Sequence, residues 1–134
     1  MRILLDTHIV LWALADTSKL SDDLLEMIKS TDNEVYYSVV SVWEIAIKHA
    51  INPANMPIAE EDFVELCEQA GFNQLSIEPK HIYRLKELKR DESEPKHNDP
   101  FDRLLLSQAK SEEMVFITHD SLSPGYKENC IMKV

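Results

Sequence analysis

Short apolar runs that end on an acid, separated by stretches of helical periodicity, constrain this chain most. Ile3-Leu4-Leu5 stops at Asp6, and Val115-Phe116-Ile117-Thr118 runs into His119-Asp120. Val35 to Val40 is β-branched and aromatic, and Leu75-Ser76-Ile77 and Ile131 to Val134 are further short strands. The segments between them are too long for hairpins. Ser21 is an N-cap with Asp22 and Asp23 in the positive first turn, and Leu20 can staple onto Leu25. Ser41 opens a helix through about Ala50, ended by Asn52-Pro53. Phe63, Leu66, Cys67 and Ala70 form an i, i+3, i+4, i+7 stripe that Gly71 ends, which places Cys67 in the core. Pro79 starts a helix with Ile82, Leu85 and Leu88 inward, and Asp99-Pro100 opens another through about Ala109. Strands alternating with helices predict an α/β fold: a mostly parallel sheet with helices on both faces, one domain over residues 1–134.

The chain carries 14 basic and 24 acidic residues, net −10. A uniformly basic nucleic-acid-binding surface is therefore absent, and a polyanion has to be met locally or through bound cations. The two cysteines, Cys67 and Cys130, have no paired spacing, so neither a disulfide framework nor a zinc ribbon follows. No run approaches the ~18 apolar residues of a membrane span, and no leader pattern is present; the expectation is a cytoplasmic protein with no membrane partner.

In open α/β sheets ligands sit at the carboxyl ends of the strands. Asp6 and Asp120 lie just past strands. Glu44 falls in the first turn after the second strand, and Asp102 in the first turn of the helix before the fourth. Four carboxylates at one edge repel one another, and a divalent cation relieves this. An all-oxygen set favours Mg²⁺ or Mn²⁺. Each acid also has a plainer reading. Ser41-Val42-Trp43-Glu44 is a capping box, Asp99 is an N-cap before Pro100, Asp102 at N3 suits the helix dipole, and Asp120 suits a turn. Asp6 is hardest to explain away, because a carboxylate straight after a buried strand needs a partner.

The ordered set Leu5-Asp6-Thr7-His8, Ser41-Val42-Trp43-Glu44-Ile45, His97-Asn98-Asp99-Pro100-Phe101-Asp102-Arg103-Leu104-Leu105 and Ile117-Thr118-His119-Asp120 closely resembles PIN-domain proteins. The match is to VapC-type toxins of type II toxin–antitoxin pairs, in the subgroup with the DPFDR segment. The resemblance spans nearly the whole chain. It implies a three-layer α/β/α sandwich around a five-stranded sheet. It implies an endoribonuclease dependent on Mg²⁺ or Mn²⁺, silenced by a cognate antitoxin and homodimeric. Its four acids match Asp6, Glu44, Asp102 and Asp120, as catalytic and metal-holding residues. Thr118 matches a hydroxyl that braces the first aspartate, and Asp99 belongs to the subgroup's segment. Metal-activated water would attack phosphorus in line, leaving a 5′-phosphate and a 3′-hydroxyl.

Other residues admit two readings. His8 and His97 flank the site in sequence, and either could touch phosphate or orient a carboxylate; for His8 the helix-end role is the commoner one. Arg103 could meet phosphate at the rim or pair with Asp99 or Glu112. Lys80, Arg84, Lys86, Lys89 and Arg90 cluster on the outer side of one helix, as an RNA track or a solvated face. Trp12 and Trp43 suit the core or a dimer interface. Two rival functions remain: a catalytically silent binding module, and an aspartate-based phosphoryl-transfer protein. The latter wants a second aspartate two residues after Asp6, where His8 stands.

Overall fold

A computed structural model describes residues 1–134. Its strands are β1 (Arg2–Leu5), β2 (Glu34–Ser38), β3 (Asn73–Leu75), β4 (Val115–Thr118) and β5 (Ile131–Lys133). Its helices are α1 (Thr7–Ala15), α2 (Asp22–Lys29), α3 (Val39–Ile51), α4 (Glu60–Gln69), α5 (Pro79–Tyr83) and α6 (Pro100–Glu112). The five strands form one sheet in the order β3-β2-β1-β4-β5, every pair parallel. The expected α/β sandwich is thus present.

β1 is central, with Ile3 opposite Val35 on one side and Val115 on the other. It is covered on both faces, which is why it reads as an unbroken apolar run. Alternation along it divides the core. Ile3 and Leu5 pack with Ile9, Tyr37, Ile45, Phe63 and Cys67 on one face. Leu4 packs with Leu105, Leu106, Ala109 and Phe116 on the other. The chain builds outward from β1 through β2 to β3, then crosses back to β4 and β5. The direction of winding therefore reverses between β1 and β4, where strand ends diverge and leave a crevice. No helix is long and apolar enough to cross a membrane.

Three local expectations are corrected. The third helix starts at Val39, because the Ser38 hydroxyl accepts the Val40 amide at 2.9 Å; Ser41 is inside the helix and does not cap it. The helix expected over 79–90 is one turn of α-helix followed by a 3-10 segment at Arg84–Glu87. There His81 turns inward, its carbonyl accepting the Ser107 hydroxyl, while Ile82 is exposed. Leu66 and Ala70 are exposed too, leaving Phe63 and Cys67 as the buried stripe of α4. Burial pushes the Cys67 thiol up to about 12, so it is an inert apolar filler.

Candidate active site

At the crevice, one pocket is lined by Asp6, His8, Glu44, Lys48, Asp99, Asp102, His119 and Asp120, with no apolar residue among them. All four acids singled out from the sequence meet here, from the ends of β1 and β4 and from α3 and α6.

Asp6 follows the last residue of β1, and its amide still donates to the Ile117 carbonyl at 2.9 Å. Its carboxylate is buried and doubly held. Oδ2 accepts the Thr118 hydroxyl at 2.5 Å, and Oδ1 accepts the His8 amide at 3.4 Å as the N-cap of α1. Burial raises its pKa, opposed by these two bonds.

Glu44 lies a turn deeper in α3 than the sequence suggested. Because Ser38 caps that helix, Glu44 does not reach back to a capping box. Its Oε1 accepts the Thr7 hydroxyl at 2.6 Å, and Thr7 also contacts Ser41 at 2.8 Å. Its Oε2 pairs with Lys48. Burial disfavours the Lys48 ammonium, but the bond to Glu44 and the charges of Glu44, Asp99 and Asp102 outweigh this and raise its pKa.

Asp99 caps α6, its Oδ1 accepting the amides of Phe101 (2.9 Å) and Asp102 (3.2 Å). The N-cap role read from Asp99-Pro100 is present, and the same side chain borders the pocket. Asp102 at N3 accepts no hydrogen bond, so its charge is unrelieved. Burial first, then the charges of Asp6, Asp99, Asp120 and Glu44, push its pKa up to about 8. Asp120 is a turn residue as well as a pocket residue. Its oxygens accept the Leu122 amide (3.1 Å) and the Ser123 hydroxyl (2.8 Å).

His97 is buried against two of the acids. Its Nε2 is 3.1 Å from Asp120 Oδ2 and 3.5 Å from Asp102 Oδ2, and its Nδ1 is 3.0 Å from the Tyr126 hydroxyl. The first two separations would be ion pairs only with the ring protonated, which burial disfavours. Neither is a hydrogen bond, and Nε2 is buried without a partner. Burial lowers the His97 pKa, opposed by Asp120.

His8 is exposed, borders the pocket and sets its ring edge-on to Trp12. Arg103 pairs with neither Asp99 nor Glu112; Glu112 is taken by Arg2, Lys80 and His81, and Arg103 acts on Tyr126 and His97. The basic cluster is not one face. Lys80 bonds Glu112, and Arg90 turns inward to the carbonyls of Pro95 and Leu122, over the Tyr126 ring. Trp43 is 48% exposed, against Phe101, and is not a core residue.

Sequence reasoning missed Thr7, Lys48, His119 and Tyr126. Lys48 had a signal, standing four residues after Glu44 on one helix. Thr7 adjoins Asp6, but Tyr126 had none.

The donors present fit a hard divalent cation: converging carboxylate oxygens, one lysine paired directly with Glu44, and an acid whose ionisation is suppressed by burial and by the neighbouring carboxylates.

Comparison with known proteins agrees with the fold. No curated protein matches the sequence significantly. The structure is similar to VapBC2 from Rickettsia felis, solved bound to a DNA fragment from its promoter, with TM-score 0.71 and 15% identity over 100% of this chain and 99% of that one. It is similar to VapBC-1 from nontypeable Haemophilus influenzae, with TM-score 0.57 and 17% identity over 90% and 87% of the two chains. A domain of a functionally unknown protein from Methanocaldococcus jannaschii gives TM-score 0.56 and 13% identity over 99% and 90%. The model of the PIN domain family matches residues 3–122, and the chain belongs to that family.

Proposed function

We propose that this protein is a divalent-cation-dependent endoribonuclease of the VapC type, a cytoplasmic toxin that works as a homodimer and is held silent by a cognate antitoxin. PIN domains are generally nucleases. The observation that carries the reading is the convergence of Asp6, Glu44, Asp102 and Asp120 from four separate segments into one wholly polar pocket. An acidic chain of net charge −10 meets a polyanion poorly unless cations intervene.

Asp6, Glu44, Asp102 and Asp120 would hold Mg²⁺ or Mn²⁺, with Asp99 at the margin. The cation supplies Lewis acidity toward a phosphate oxygen and activation of a water. The protein's own share is positioning. Thr118 and the His8 amide aim Asp6. Thr7 and Lys48 each fix one oxygen of Glu44. The Lys48 ammonium, at the pocket wall, also offers a charge to the approaching phosphodiester. His8 and Arg103 lie beside the site, where each can meet backbone phosphates.

The test is cleavage of total bacterial RNA by purified, antitoxin-free protein with Mg²⁺, Mn²⁺ or EDTA, alongside Asp6→Ala. Discrete fragments bearing 5′-phosphates, lost with EDTA and in the variant, are expected. Intact RNA in every lane from folded protein would overturn the reading in favour of a binding module.

A further inference from the structure

One buried atom beside the carboxylates of the pocket is left unexplained. The side chain of His97 is 2% exposed, yet its Nε2 has no hydrogen-bond partner. It faces two carboxylate oxygens, Asp120 Oδ2 at 3.1 Å and Asp102 Oδ2 at 3.5 Å. In one neutral tautomer Nε2 carries a hydrogen that neither oxygen receives, a buried donor left unmade. In the other it aims a lone pair at two anions. A cation among the three atoms resolves both conflicts. The separations suit this, because adjacent ligands at ~2.1 Å in an octahedral shell lie about 3.0 Å apart.

The back of the ring is organised for the same purpose. The Tyr126 hydroxyl stands 3.0 Å from Nδ1 and can accept its hydrogen, which leaves the Nε2 lone pair facing the acids. Ligating imidazoles are commonly held by such a bond on the far nitrogen. Tyr126 is itself fixed, its ring lying 4.9 Å from the Arg90 guanidinium.

We infer that His97 is a cation ligand, its Nε2 completing with Asp102 Oδ2 and Asp120 Oδ2 a mixed nitrogen–oxygen set that selects a first-row transition ion such as Mn²⁺ over Mg²⁺. The inference rests on the proposed cation-dependent site and adds to it a ligand and a selectivity. Mg²⁺ keeps to oxygen donors, whereas an imidazole nitrogen strengthens binding of the transition ions.

The test uses the whole protein loaded with Mn²⁺ and no RNA. Pulsed electron paramagnetic resonance should show ¹⁴N coupling from a directly bound imidazole. His97→Gln should abolish it, and should weaken Mn²⁺ binding about tenfold or more while changing Mg²⁺ binding less than about twofold. His8→Gln/His119→Gln at the pocket rim, and Glu112→Gln in the separate Glu78–His81–Glu112 group, should each keep the coupling; together they assign the signal even if His97→Gln does not fold. Absence of ¹⁴N coupling in the parent protein, its loss in the double variant or in Glu112→Gln, or equal weakening of both cations would overturn the inference. RNA cleavage without ¹⁴N coupling sinks this inference alone. Coupling without RNA cleavage sinks the nuclease reading and leaves His97 a ligand.

Discussion

The Thr118 hydroxyl donates to Asp6 Oδ2 at 2.5 Å, joining residues 112 positions apart. Thr118 Oγ1 in turn accepts the Asp120 amide at 2.9 Å, so one side chain sets an acid on each side of the crevice. Thr118→Val keeps the shape and removes both bonds. It should lower stability by about 1–2 kcal/mol and weaken cation binding about 10- to 100-fold. Denaturant unfolding and Mn²⁺ titration on the same sample check this. Loss of stability with unchanged cation affinity would show that the His8 amide alone aims Asp6.

Asp102 makes stability pH-dependent. Its pKa rises from 3.8 to about 8 through burial and the neighbouring acids, so the folded protein holds this proton more tightly than the unfolded chain does. The contribution is full below about pH 4 and is lost as pH rises through about 8. In EDTA, Asp102→Asn should therefore melt several degrees above the parent at about pH 9, at ~3–6 °C per kcal/mol, and level with it near pH 4. Adding Mn²⁺ at the higher pH should raise the melting temperature of the parent more than that of the variant. Calorimetry with and without chelator reads both.

Gly125 packs against Arg90. A Cβ there would stand 2.5 Å from an Arg90 guanidinium nitrogen. That guanidinium is pinned by the Pro95 and Leu122 carbonyls and cannot swing aside without losing them. Gly125→Ala should cost about 1–3 kcal/mol by urea denaturation. Gly125→Ala/Arg90→Ala should recover the overlap component, so the two single costs should not add.

Glu113 ends α6 in the left-handed region, with φ 55°. Glycine occupies such a cap without the Cβ clash. Glu113→Gly should raise stability by about 0.5–1 kcal/mol in thermal unfolding and leave cation binding unchanged.

Much of the fold was legible because burial on both faces writes itself into β1 and β4 as plain apolar runs. The four acids were legible because strand ends and helix starts have signatures of their own. The start of α3 was not. Val39-Val40 favours a strand by composition, and Ser38 and Ser41 are equally good caps in isolation. The choice of Ser38 moves Glu44 from a self-capping position to one facing Thr7. The split of the Pro79 helix was hidden for a similar reason: His81 turns inward where Ser107 meets its carbonyl, and Ile82 is displaced to the surface. Tyr126 could not be found at all, and Arg90 was read only as one of a basic cluster, since their roles depend on loops meeting far from either in sequence.

β1 takes its place between two strands made at very different times. Its partner β2 follows within about 30 residues, but β4 begins only at Val115. A chain still on the ribosome therefore exposes one edge of β1, with Asp6 lacking its Thr118 brace and Asp102 and Asp120 still unmade for most of synthesis. The four-acid pocket is thus complete only once β4 and Asp120 have been added. Under the proposed function, a chain that has not yet reached Asp120 lacks part of its cation site, so any partner that silences the protein is needed only after β4 has been made.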